Sequence, residues 1–529
     1  MKHTTPAYRG AVAGIVACLL VMWPLTAFAQ TPSTWSKLEP GQHTVGFTTV
    51  ELKDDSRTMR PSEDYFGDPL DGETVRMLQV CLWYPSLPSD QPKMFYGEYH
   101  FPSPNDVDFF DYVTAMQNKD IRRLAGFLRP AGGDLNDVLN LPMYAVRDAS
   151  VKDGQFPLLI YHSDHNSSYC DNVVLCEYLA SHGFVVASTH AVGLNADGSP
   201  FSQKDIETQV HDLELAVSNL HGRENIDFKR CGLIGCGTGA TVAMAYQMRN
   251  YDIDIVAAID PAFATVEGWK LLEDNPFFDC QRMKLPLLCL FRSDAEDYHA
   301  GFSSSLTYSD RYLMGHRGLI PANFTAHGSM MAEVMGAVEA PPGITHFAHY
   351  NQMSANILAF CSDVLNPDPA QSWPDQPLAE RLKPLENIDS WTYLQAEDAP
   401  PTRAEFARIL QVQGPATAIE VYEKFHAKDS TINLFDEGFM NGMGYRALRG
   451  GDLENAVRLF KMNAYTYPGS ANCWDSYSEC LVALGRNEEA VVAAKRVLEA
   501  LPDDPRLTED FRQQLKELAE NRLAELGAN

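Results

Sequence analysis

Short unbroken apolar runs alternate with amphipathic stretches through the first two thirds of the chain. The runs are Phe156–Tyr161, Gly183–Ala187, Cys231–Gly235, Ile253–Ile259 and Leu285–Phe291. Each is too short for a buried helix and too continuous for a strand with one wet face, so each predicts a strand covered on both sides. Between them, helical spacing of apolar positions predicts helices over Val173–His182, Ile206–Leu220, Gly239–Met248 and Ser303–Leu313. Val45–Leu52 and Val75–Tyr84 come earlier and read as an antiparallel hairpin. The pattern specifies an α/β layer fold with a mainly parallel sheet and helices on both faces. Residues 86–150, rich in Phe, Tyr and Pro, interrupt the alternation and are expected to form a cap insertion.

After residue 366 the pattern changes. Residues 367–401 carry seven prolines and little periodicity, which reads as a linker. Residues 402–529 are helical throughout and repeat: Gly451, Ala456 and Pro468 recur as Gly485, Ala490 and Pro502, each displaced by 34 positions (485−451, 490−456, 502−468). A 34-residue helix-turn-helix period with small residues at the helix contact resembles the tetratricopeptide repeat. Arg403–Leu410 with Ala416–His426 is expected as a divergent extra pair, and Leu507–Leu526 as a polar capping helix.

The first 29 residues read as a signal peptide. Lys2 and Arg9 supply the positive end, Ala11–Leu25 the apolar run, and Ala27-Phe28-Ala29 the cleavage site. Export to the periplasm or the medium is expected, with a lipid anchor through Cys18 as the weaker alternative. No later run is long enough to span a bilayer. The α/β body is expected over residues 30–366. A formal charge of −28 excludes nucleic acid as a partner, because neutralising phosphates takes clustered Lys and Arg. Eleven cysteines in 529 residues are too sparse for a disulfide scaffold, although Cys170 and Cys176 are spaced for a bridge. His162-x-x-His165 and His346-x-x-His349 lack acidic or thiol partners, so neither a metal nor a cofactor is expected.

One stretch carries the chemistry. CGLIGCGTGA (231–240) reads as a strand turning sharply into a helix, with Gly235-Cys236-Gly237-Thr238-Gly239 in the frame G-x-S-x-G. Together with QVCLWYPS (79–86), PLLIYHSDHNSS (157–168), LCEYLASHGFVVA (175–187), AAIDPAF (257–263) and THFAHYN (345–351), it resembles the α/β-hydrolases. Within them it is most similar to the secreted esterases of the platelet-activating-factor acetylhydrolase and dienelactone hydrolase group.

That resemblance implies a carboxylic-ester hydrolase, with the nucleophile position at 237, the acid at Asp260, the histidine at His346 and an oxyanion donor on Thr238. Asp294 and His349 are the second candidates for acid and base. Glycine at 237 offers no nucleophile, and Cys236 stands one residue from the tip, where strand alternation turns it elsewhere. The second oxyanion turn reads His162-Ser163-Asp164-His165, placing Ser163 at the donor position and a carboxylate where relatives carry glycine. The leading expectation is a hydrolase-fold protein of lost or very weak activity. It would bind an ester- or lipid-like molecule in its cavity and a protein partner through its helical repeats. Two alternatives stand: an ester hydrolase using water or Cys236, and an interaction protein whose hydrolase body is a passive scaffold.

Overall fold

A computed structural model describes residues 33–60, 72–100, 109–129, 132–194, 200–250, 252–335, 346–367, 376–382 and 388–528. The stretch read as a signal peptide, residues 1–29 with Cys18, lies outside the described residues. Two compact units divide the chain at Ala396/Glu397.

The first unit is built on one ten-stranded sheet. Its strands are β1 (Thr44–Met59), β2 (Thr74–Ser86), β3 (Val146–Arg147), β4 (Phe156–His162), β5 (Val185–Thr189), β6 (Ile226–Cys236), β7 (Ile255–Ile259), β8 (Leu287–Arg292), β9 (Arg311–His316) and β10 (Ile388–Leu394). They lie in the order β10-β9-β8-β7-β6-β4-β5-β2-β1-β3. From β5 through β4, β6, β7 and β8 to β9 every neighbouring pair is parallel; β1–β2, β2–β5 and β9–β10 are antiparallel. This is the α/β-hydrolase fold.

The helices of this unit are α1 (Gly97–His100), α2 (Phe110–Leu128), α3 (Leu135–Leu139), α4 (Val173–Ser181), α5 (Gln203–Leu220), α6 (Thr238–Gln247), α7 (Val266–Glu273), α8 (Phe302–Ser305), α9 (Ala326–Met335), α10 (His346–Leu365) and α11 (Leu378–Arg381). Strand alternation sorts the core into two layers. Leu159, Tyr161, Ile234, Ala257 and Leu290 pack with α4 and α10 on one face. Leu158, Ile160, Leu233, Val256 and Cys289 pack with α5 and α6 on the other. Because both faces are covered, the middles of the central strands are apolar and their polar residues fall at the ends, which is why the sequence runs are unbroken.

Two expectations fail at the sheet edge. The helix read over Ser303–Leu313 is only the single turn α8, and the chain then enters β9. Within the stretch read as a linker, Ile388–Leu394 pairs antiparallel with β9 as the edge strand β10. None of its residues is buried, so its composition resembles that of a loop. The expected cap segment supplies α1, α2, α3 and β3.

The second unit holds α12 (Arg403–Val412), α13 (Pro415–His426), α14 (Glu437–Arg449), α15 (Leu453–Thr466), α16 (Ala471–Ala483), α17 (Asn487–Ala500) and α18 (Glu509–Glu525). Gly451 and Gly485 follow α14 and α16 with φ of 81° and 72°, a conformation that favours glycine and turns each helix into the next. Ala456 and Ala490 are fully buried where those helices meet. Among the described residues no helix is long and apolar enough to cross a membrane.

Candidate active-site cavity

β6 ends at Cys236 and α6 begins at Thr238, so Gly237 alone makes the turn, with φ 57° and ψ −124°. Its flanking glycines are there for contact. A Cβ on Gly235 would overlap the Ala240 backbone, and one on Gly239 the carbonyl oxygens of His162 and Ser163. The turn is therefore pressed against both its own helix and the loop after β4. The Gly237 N–H donates to Ile259 O at 3.0 Å, and the Ala262 N–H donates to Gly237 O at 2.9 Å. Those bonds fix the tip beside the end of β7.

A side chain at the tip would point at Asp164. A Cβ built on Gly237 meets Asp164 Oδ1 at 2.5 Å and Cγ at 2.6 Å, with no backbone among its nearest contacts. The space a nucleophile would take is thus filled by a carboxylate from the loop after β4. Asp164 Oδ1 accepts from the Thr238 N–H (2.9 Å), the Thr238 hydroxyl (2.6 Å) and the His165 N–H (2.9 Å). Two of these donors are backbone amides converging at a helix N-terminus, the arrangement that stabilises an oxyanion in acyl transfer. Here they are spent on a resident anion.

The other expected residues are placed as follows. Asp260 follows β7 with φ 42°, and both its carboxylate oxygens accept from Arg292 Nε, at 2.9 and 3.0 Å. Burial pushes the Asp260 carboxyl up, and the Arg292 guanidinium pulls it only part of the way back. His346 opens α10, and its side chain lies outside the described residues. Asp294 is exposed and accepts from the Gly318 N–H at 2.8 Å, tying one turn to another. His349 is buried with its ring against His316 and Phe324. Ser163 is fully buried, and its hydroxyl has no hydrogen-bond partner. The donor that converges with Thr238 is the His165 amide instead. Cys236 continues the β6 alternation into the α4–α10 core layer, 7% exposed, and burial pushes its thiol well above the ordinary range. His162 and His165 are bridged by one Gln209 amide, whose Oε1 lies 2.7 Å from His162 Nε2 and whose Nε2 lies 3.1 Å from His165 Nδ1. All described cysteines are free, Cys170 and Cys176 included.

A cavity of about 540 Å³ opens over the tip, lined by Asp164, Gly237, Thr238, Asp260, Arg292, Arg123, Asp171, His327 and the apolar ridge Ile320-Pro321-Ala322 among others. Four of the charged or titratable ones, Arg123, Asp171, Arg292 and His327, are not among the sequence candidates. Arg123 comes from α2 in the expected cap and forms an ion pair with Asp171. His327 Nδ1 lies 3.2 Å from Asp171 Oδ1, while its Nε2 meets the Tyr96 hydroxyl. Burial holds His327 below its ordinary range against the pull of Asp171. Both its nitrogens are engaged, so it presents no free base to Gly237. Arg292 had one legible signal, a cation closing the apolar strand LLCLFR; Arg123, Asp171 and His327 had none, because only the fold brings them together.

The cavity can therefore hold a small molecule against a polar floor and an apolar wall, but its two anion-stabilising amides are taken. No protein-family model and no curated protein matches the sequence. Among solved structures the chain is similar to a ferulic acid esterase from Streptomyces cinnamoneus, at 18% sequence identity and a TM-score of 0.46, over 68% of this chain and 98% of that one. That likeness concerns the fold alone.

Proposed function

We propose that the first unit is an α/β-hydrolase-fold body of the carboxylic-ester-hydrolase type that binds an ester- or lipid-like molecule without turning it over. The observation that carries this reading is the Asp164 carboxylate, which stands where a nucleophile would project from residue 237 and accepts from both amides of the oxyanion position. The capture of Asp260 by Arg292 supports it further, since a carboxylate held by a guanidinium is poorly free to fix an imidazole. The protein is read as exported through its leader. Its second unit is read as tetratricopeptide-like helix pairs that recognise a protein partner, supported by the common turn at Gly451 and Gly485.

A test of the binding half uses a non-hydrolysable ketone analogue of a short-chain ester. Isothermal titration should give saturable 1:1 binding that is lost in Ala322→Trp, which fills the cavity wall. Equal heats from the wild type and Ala322→Trp would remove the cavity from the account.

A further inference from the structure

Away from the cavity, α1, α2 and the turn Tyr169–Asn172 bring together three side chains that could hold a metal ion. The ligand atoms of His100, Asp120 and Cys170 all lie within 4.8 Å of one another, and all three residues are buried. Neither ring nitrogen of His100 has a hydrogen-bond partner, although the residue is only 2% exposed. Gln79 lines a gap beside His100 and Asp120 from β2, fully buried, and neither its amide oxygen nor its amide nitrogen is bonded. Buried polar groups are nearly always satisfied, and an orphan calls for a missing water or ion. The gap has no room for a water molecule. A bare metal ion needs less room than a water molecule and would take electron pairs from the His100 ring and the Gln79 amide oxygen.

We propose that His100, Asp120 and Cys170 bind a divalent transition-metal ion, zinc being the best match, with the Gln79 amide oxygen as the fourth donor. One imidazole, one thiolate and oxygen donors in a closed pocket suit borderline-soft Zn²⁺ in a structural site. Three atoms no more than 4.8 Å apart have a common centre within about 2.8 Å of each, so shifts of about 0.5–0.8 Å reach Zn–ligand lengths of about 2.0–2.3 Å. Charge closes as well. The Asp120 carboxylate and a Cys170 thiolate balance a dication, with the thiol proton released on binding. His190 Nε2 lies 3.8 Å from Asp120 Oδ2, placed to orient that ligand from outside. Asp120 sits one helical turn before Arg123, so the ion would clamp the segment of α2 that delivers Arg123 to the cavity.

The test uses the full chain purified without chelator. Elemental analysis should find about one zinc per chain, retained through gel filtration. Replacement by Co²⁺ should give a near-ultraviolet thiolate-to-cobalt charge-transfer band that disappears in Cys170→Ser and persists in Cys280→Ser. Should Cys170→Ser fail to fold, the wild type decides alone: chelation should lower the thermal midpoint, and added Zn²⁺ should restore it. A chain without metal and without a Co²⁺ spectrum after loading overturns the proposal. So does a charge-transfer band that survives Cys170→Ser, or a thermal midpoint indifferent to chelation and Zn²⁺.

Discussion

Replacing Gly237 with alanine is a direct probe of what stands over the turn. Two costs are expected. A side chain held at φ 57°, ψ −124° costs about 1–3 kcal/mol in backbone strain. The new Cβ also drives Asp164 from its place, since Oδ1 lies 2.5 Å from where that carbon must go. Asp164 then gives up three hydrogen bonds to its carboxylate. Bonds to a charged group contribute roughly 1.5–3 kcal/mol each when buried, but Asp164 is exposed and water can replace part of the loss, so about 2 kcal/mol in total is reasonable. In an Asp164→Gly background only the strain remains. A double-mutant cycle should therefore show a coupling of about 2 kcal/mol between positions 237 and 164. Gly235→Ala, which would strike the Ala240 backbone, should not couple to 164. Urea unfolding followed by tryptophan fluorescence reports the first unit, because every tryptophan except Trp474 precedes residue 397. Additive costs, with a coupling below about 0.5 kcal/mol, would refute the claim that Asp164 fills the nucleophile's space.

Two further outcomes are expected. In the folded protein Cys236 should resist iodoacetamide at neutral pH and react only in denaturant, because burial keeps its thiol protonated; labelling mapped by mass spectrometry within minutes would overturn that assignment. His316, buried against His349 and Phe324, has its pKa lowered to about 4 by burial, against an ordinary 6.5. A depressed folded pKa contributes stability present above pH 6.5 and lost as pH falls towards 4, worth about 2 kcal/mol at pH 4.5. His316→Phe should remove that loss, so its urea midpoint should fall less than that of the wild type between pH 7 and pH 4.5.

The fold was legible where burial leaves a mark on composition. β4 to β8 read as unbroken apolar runs because helices cover both faces, and the glycines at 235 and 239 read as a tight turn because their neighbours leave no room for a Cβ. β9 and β10 were hidden for different reasons, β9 being fully buried but bounded by Arg311 and His316, and β10 having no buried residue. RYLMGH begins with a cation, and the edge strand IDSWTYL is half exposed, so neither carries the signature of the sheet's centre. At the site, the missing nucleophile was plain in the sequence, and Asp164 stood out as a carboxylate at an oxyanion turn. What spacing could not show was direction: Asp164 turns into the tip rather than away, and Asp260 turns to Arg292. The metal-ligating cluster was invisible for a related reason. Close histidine spacing points to 162/165 and 346/349, whereas His100, Asp120 and Cys170 are 20 and 50 positions apart on three separate elements.

Hydrolysis of a short-chain chromogenic ester by the wild type, measured beside Asp164→Gly, bears most directly on the reading of Asp164 as an inert occupant of a nucleophile's place. Both proteins should run at the buffer rate, since neither has a nucleophile at the turn. Saturable turnover by the wild type that vanishes in Asp164→Gly would make that carboxylate a working nucleophile or base and contradict the account.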